Sequence, residues 1–253
     1  MSLAYCAQMV KDADEDRFLS VMAAKPELRA VLFPLYAFNA EVSKAAWASN
    51  EPLLCQMRLQ YLRDLVASIF AGDALPDMPL AKPLADVVRH GGAPQQQLFE
   101  LIDARHWDVE RSGFENAAHF SRYLDHTAGN LMVIAARSTG ASDDFEGAVR
   151  AHGFGMGLAK FLIAAPDLKA HGCVPLLDET PDVLAKLAGH ALQRIKDADR
   201  QNIPGGQAAM RAGWDSQRVL KLVCRHPERV LEGRLQTSPF RRKSSLLWMS
   251  LFG

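Results

Sequence analysis

Apolar residues recur at three- and four-residue intervals along most of the chain, the period of helices that bury one face. From Leu28 the stripe Val31, Leu32, Leu35, Phe38, Val42 and Ala45 predicts a helix that opens at Pro26, ends at 47–50 and is open to bending at Pro34. Before it, Asp12, Asp14 and Asp16 precede Phe18, Val21 and Met22, as in a short helix with carboxylates at its positive end. Pro52 opens a third segment through Leu54, Met57, Tyr61, Leu65, Ile69 and Phe70, and Gly72 stops it.

Residues 73–83 carry three prolines and predict a loop. Helical patterning resumes over 84–90, ended by Gly91 and Gly92, then from Pro94 to about Arg111 and over 121–137, where Leu124, Leu131 and Ile134 form the stripe before Gly140. Asp143 and Asp144 cap a helix reaching about Ala165. Further helices are expected over 181–203 and over 214–235, the latter interrupted at Pro227, and an apolar segment follows Pro239.

Alanine and leucine supply about seventy residues, and valine, isoleucine and threonine about twenty-five, which favours helix over sheet. With no repeat or linker in sight, the expectation is an all-α fold in one domain spanning residues 1–253. Gly153, Gly155 and Gly157 sit in the middle of a predicted helix, where each costs about 1 kcal/mol relative to alanine. That segment is expected to survive because a neighbouring helix approaches closely. A phosphate-binding loop is the weaker reading, since no strand precedes it and no Gly-Lys-Ser/Thr follows.

Twenty-nine basic and twenty-nine acidic residues cancel, which removes the electrostatic case for a nucleic-acid binder. No stretch approaches the ~20 apolar residues of a membrane span, and residues 1–10 lack the pattern of a signal peptide, so a cytoplasmic location is expected. Cys6, Cys55, Cys173 and Cys224 lie far apart and read as buried packing thiols. The eight histidines form no compact ligand set. The acidic runs at 14–16, 143–144 and 178–179 abut helix starts, where the dipole alone favours them. Arg241, Arg242 and Lys243 precede Trp248 in an apolar segment; this reads as a last helix docked on the core, with peripheral contact to an anionic membrane as the alternative.

Leu35-Tyr36-Ala37-Phe38 resembles the start of the first signature helix of the squalene/phytoene synthases. Arg58 to Asp64 followed by Ile69 to Gly72 is similar to that family's next helix. Leu101 to Asp103, Asp108, Tyr123, Ala128-Gly129 and residues 134–140 resemble its middle section, and Cys173-Val174-Pro175 the close of its second signature. The resemblance implies an isoprenoid-synthase bundle around a central cavity. Active members there join two isoprenoid diphosphates head to head with magnesium held by two aspartate-rich motifs.

This chain departs from that pattern. The resemblance puts Ser43, Lys44 and Trp47 at the three aspartates of the first motif, and Gly157, Lys160, Ile163 and Ala164 along the second, with Asp167 the nearest surviving carboxylate. No catalytic residue, metal ligand or cofactor is therefore expected. Phe38 to Val42, Met57-Arg58 and His152-Gly153 resemble a non-catalytic subgroup that assists assembly of respiratory complex I, which implies a complex I subunit or assembly intermediate as partner. Two alternatives stand beside it: an isoprenoid or lipid-phosphate binder in which Lys44 and Lys160 face one another, and a prenyl synthase using other ligands. Candidate cavity residues are Tyr36, Lys44, Arg58, Arg63, Lys160 and Asp167, with Arg58 and Arg63 about 140° apart on one helix, so that one lines the cavity while the other meets solvent.

Overall fold

A computed structural model describes residues 2–236, 238, 244 and 246. Every regular element among them is helical. Helix α1 (Ser2–Ala13) and α2 (Glu15–Met22) form an N-terminal pair against α3 (Pro26–Ala45), and α4 (Pro52–Ala71) and α5 (Ala81–Gly91) follow. After α6 (Gln95–Asp103), α7 (His106–Glu110) and α8 (Ala117–Leu124), a π turn at Asp125–Gly129 leads into α9 (Asn130–Ser138). The long α10 (Glu146–Ala170) is followed by α11 (Pro181–Ala198), α12 (Gln207–Met210) and α13 (Ser216–Arg225).

Helix boundaries follow local chemistry. Asp14 caps α2 by accepting from the backbone N–H of Arg17 at 3.0 Å. Prolines stand in the first turns of α3, α4 and α11, where their missing N–H groups are no loss. Gly72 ends α4 with φ of 78°, a left-handed conformation that favours glycine.

Two apolar clusters fill the interior. One gathers α1 to α6, α9 and the first half of α10; the other gathers the aromatic group around Trp107 with α11, α13 and the second half of α10. In the aromatic group Trp107 stacks on Phe114 at 4.3 Å, and Phe120, Tyr123 and Phe161 pack edge-on around them. Helix α10 thus contributes to both clusters.

The glycines of α10 answer a steric demand. A Cβ at Gly153 would lie 2.9 Å from the carbonyl oxygen of Ala128 and from Cα of Gly129, and one at Gly157 would lie 2.6 Å from Cβ of Ala128. Both positions face the π turn, so the close approach expected from the sequence is with that turn. Gly155 faces the opposite way, onto Ile195 of α11.

Several elements differ from the sequence expectation. Helix α1 carried no signal strong enough to be assigned. The 94–111 segment breaks at 104–105 into α6 and α7, and Arg111 ends α7 with φ of 54°. The 121–137 helix starts earlier, at Ala117, and is interrupted by the π turn; α10 runs on to Ala170 through Pro166. The long 181–203 helix ends at Ala198, and the 214–235 segment contains only α13 and a short 3₁₀ turn at Pro227–Arg229. In the segment after Pro239, Arg241, Arg242, Lys243 and Trp248 lie outside the described residues, while Leu246 is described and buried. Cys6, Cys55 and Cys173 are buried and Cys224 half-buried, all as free thiols. No helix among the described residues is long and apolar enough to cross a membrane.

Gly153→Ala is expected to destabilise the protein by about 1–3 kcal/mol in urea titrations, because backbone atoms of the π turn cannot yield to the new methyl. Gly189→Ala, in the middle of α11 with no atom within 4 Å of the added Cβ, should instead stabilise by about 0.5–1 kcal/mol.

Candidate functional site

A cavity of about 730 Å³ opens between the N-terminal pair α1–α2, α3, the α8–π-turn segment and α10. Helix α3 presents Tyr36, Asn39, Ala40 and Ser43 to it, positions three and four apart and so on one face, and the turn after α3 adds Trp47. Opposite, α10 presents Gly157, Lys160, Phe161, Ala164 and Leu168 at the same spacing. The residues that resemblance places at the two aspartate-rich motifs therefore line one cavity: Ser43, Lys44 and Trp47 on one wall, Gly157, Lys160 and Ala164 on the other. Ile163 is not among the lining residues.

Lys160 forms an ion pair with Asp14, which reaches across from the start of α2. Asp14 also lies 3.6 Å from Nε of Arg17, whose guanidinium sits 5.0 Å from the ring centre of Tyr36. Burial opposes ionisation of Asp14, but Lys160 and Arg17 together outweigh it and hold the carboxyl at about 2. Burial pulls the Lys160 ammonium below its ordinary value while Asp14 works to restore it. Tyr36 is buried, and burial pushes its phenol up to about 12; its hydroxyl donates to the carbonyl of Ala209 at 3.5 Å.

A second polar group closes another side. Buried Asp108 accepts from the Tyr123 hydroxyl at 3.1 Å and from Nη1 of Arg105 at 3.3 Å, and Arg105 also donates to the Tyr123 oxygen at 3.1 Å. Burial raises Asp108 despite the pull of Arg105 and the Tyr123 hydroxyl, and burial likewise raises Tyr123. The three residues bond to one another, while Nε of Arg105 is buried without a hydrogen-bond partner.

Of the residues picked out from the sequence, Tyr36, Lys44 and Lys160 line the cavity; Arg58, Arg63 and Asp167 do not. Helix α4 turns Cys55, Leu59 and Leu62 inward, away from the cavity, which leaves Arg58 exposed on the outer side. Arg63 pairs with Asp103 at 2.6 Å and lies 4.0 Å from the centre of the Phe99 ring. Neither arginine of α4 is among the residues that line the cavity. Asp167 is exposed near the end of α10, where its backbone carbonyl is bonded to Nδ1 of His171 at 2.7 Å.

Lys160 differs from the sequence reading in one respect: it is not a free ammonium facing Lys44 but the partner of Asp14. Asp14 itself read as a helix cap and is both cap and ion-pair partner. A contact spanning 146 residues leaves no trace in local sequence. Arg17 had a signal, since it stands four residues before buried Val21 and so interrupts the apolar face of α2.

The magnesium chemistry implied by the resemblance needs clustered oxygen anions. No carboxylate stands at the lining positions of either motif, Asp14 and Asp108 are engaged with cations, and no group of three metal-ligating side chains occurs among the described residues. The residues present do not fit such an ion.

The sequence pattern of the family described as Squalene/phytoene synthase matches residues 10–176. Among curated proteins, the chain is 25% identical over 163 residues to "NADH dehydrogenase (ubiquinone) complex I, assembly factor 6" of Bos taurus, covering 64% of this chain and 49% of that protein. It is 26% identical over 180 residues to the Drosophila melanogaster homolog, covering 68% and 54%. The chain thus spans about half the length of the curated relatives it matches. Among solved structures, a dehydrosqualene synthase in complex with ligand superposes with a TM-score of 0.81 at 14% identity, covering 99% of this chain and 96% of that one. The squalene synthase HpnC from Alicyclobacillus acidocaldarius superposes at 0.72 and 15% identity, covering 90% and 94%. At these identities the superpositions establish the fold.

Because the folded Asp14 carboxyl titrates below its unfolded value near 3.8, its stabilisation is fully present above pH 4 and is lost as pH falls towards 2. Asp14→Asn should therefore lower unfolding free energy by about 2 kcal/mol at pH 7, with the difference from the parent vanishing near pH 2 in parallel denaturation curves. Tyr123→Phe removes a donor to buried Asp108 and should cost about 1–3 kcal/mol, measured in the same way.

Proposed function

Since the chain belongs to the squalene/phytoene synthase family, we propose that it is a non-catalytic member of that family, a single helical domain that acts in the assembly or stabilisation of respiratory complex I. The observation that carries this reading is the pair of cavity walls on which Ser43, Lys44 and Trp47 face Gly157, Lys160 and Ala164. Ionising an allylic diphosphate requires the leaving group's charge to be drawn off, and divalent ions held by carboxylates do that in active members. Here a lysine stands on each wall, and the carboxylate of Asp14 is bound to one of them.

The assembly role is supported by relatives from mammals and an insect that carry the complex I assembly factor name. An assembly factor works through surfaces rather than chemistry, so the fold can persist without its metal site. In this reading the protein contacts the complex or one of its intermediates from the inner face of the membrane, as a peripheral rather than a spanning partner.

Deleting the gene should reduce the amount of assembled complex I on native gels and the NADH:quinone reductase activity of membranes, with both restored by the wild-type gene. Unchanged complex I in the deletion strain would sink the assembly role. Purified protein incubated with farnesyl or geranylgeranyl diphosphate and magnesium should release no pyrophosphate above the no-protein control; turnover abolished by a cavity substitution would overturn the non-catalytic part.

A further inference from the structure

We propose that the cavity receives an uncharged lipid, a long hydrocarbon chain ending in a hydroxyl or carbonyl, and that Asp14 is the residue that turns away the phosphorylated counterpart. This inference concerns the cavity alone and stands whether or not the protein serves complex I.

The charge on the cavity wall is the first ground. Among the described lining residues Arg17, Lys44, Arg105 and Lys160 are cationic. Asp12, Asp14, Glu41 and Asp108 are anionic, so four charges of each sign cancel. A site built to take a phosphate or diphosphate presents a surplus of donors and positive charge.

The second ground is how three of those four cations are committed, the fourth, Lys44, being exposed. Lys160 is paired with Asp14, and Arg17 lies against the same carboxylate and the face of Tyr36. Arg105 is held by Asp108 and Tyr123. A phosphate that sought Lys160 would have to part it from Asp14 and would then meet an ionised carboxylate at close range. The pair is only partly desolvated, with 40% of the Lys160 side chain and 26% of the Asp14 side chain exposed, and parting it leaves each charge without its partner. Asp14 stays ionised at any pH above about 2, so the exclusion holds throughout the physiological range.

The remaining wall suits a neutral chain. Val10, Leu124, Leu131, Met156, Phe161 and Leu168 supply apolar surface. The volume of about 730 Å³ falls within the roughly 300–1,000 Å³ of small-molecule sites. Asn39 and Ser43 offer neutral hydrogen-bonding partners on the α3 wall, and Thr127, whose hydroxyl donates to the carbonyl of Tyr123 at 2.6 Å, retains lone pairs that can accept.

The test is a matched pair of ligands. The full-length protein is titrated by calorimetry with farnesol and with farnesyl diphosphate, each with and without magnesium. Saturable binding of farnesol is expected, at least about tenfold tighter than the diphosphate under both conditions. In Asp14→Asn, which frees Lys160 and Arg17, the diphosphate should gain at least about tenfold while farnesol changes little. Ala164→Phe, which fills the lumen from the α10 wall, should abolish binding of farnesol with the circular dichroism spectrum retained. Equal or tighter binding of the diphosphate by the wild-type protein, or no saturable binding of farnesol, overturns the proposal. Should Asp14→Asn not fold, the wild-type comparison decides alone.

Discussion

The near contact between α10 and the π turn is the constraint from which the cavity takes its shape. Gly153 and Gly157 let the two backbones meet where any side chain would intrude, and this sets the depth at which Lys160 and Phe161, three and four residues beyond Gly157, enter the lumen. The extra residue of a π turn bulges the α8–α9 segment towards α10 at that spot. Ala128, the residue both glycines accommodate, also lines the cavity. Helix packing and site geometry are in this sense one arrangement, and glycine in a helix interior is tolerated because the tertiary contact requires it.

Electrostatics then determines what that shape is for. A partly buried charge is stabilised beside its opposite, and here Asp14 reaches from the N-terminal pair to α10 while Asp108 is buried under Arg105 and Tyr123. The arrangement needs no ion to balance it. It also binds α2 to α10 across the cavity, so the N-terminal pair is held by charge as well as by its packing on α3.

Much of the fold could be read directly. The stripes of α3 and α4, the prolines that open them and Gly72 that closes α4 are local signals, and local signals survive in a single sequence. The split between α6 and α7 was hidden because Ala104 and Arg105 are compatible with a continuing helix. The expected length of α11 exceeds the observed one because residues 199–203 contain no glycine or proline, and the first breaker is Pro204. For the site, the resemblance pointed to α3 and α10 and to Tyr36, Lys44 and Lys160, which line the cavity. What could not be read was pairing. Whether Lys160 stands free depends on Asp14, and whether an arginine of α4 enters the cavity depends on which side α4 turns to α3 and α6; both are tertiary facts.

The sharing of α10 between the two apolar clusters bears on how the polypeptide matures. The first cluster draws most of its members from residues before 157 but also includes Ala208, Ala209 and Ala212, and the second cannot close before α11 and α13 exist. On a ribosome that releases the chain from its N-terminus at about 5–20 residues per second, α1 to α9 emerge with their inward faces unfinished until residues 208–212 are made. A premature stop anywhere before about residue 212 would thus leave both clusters open rather than yield a shortened but stable product.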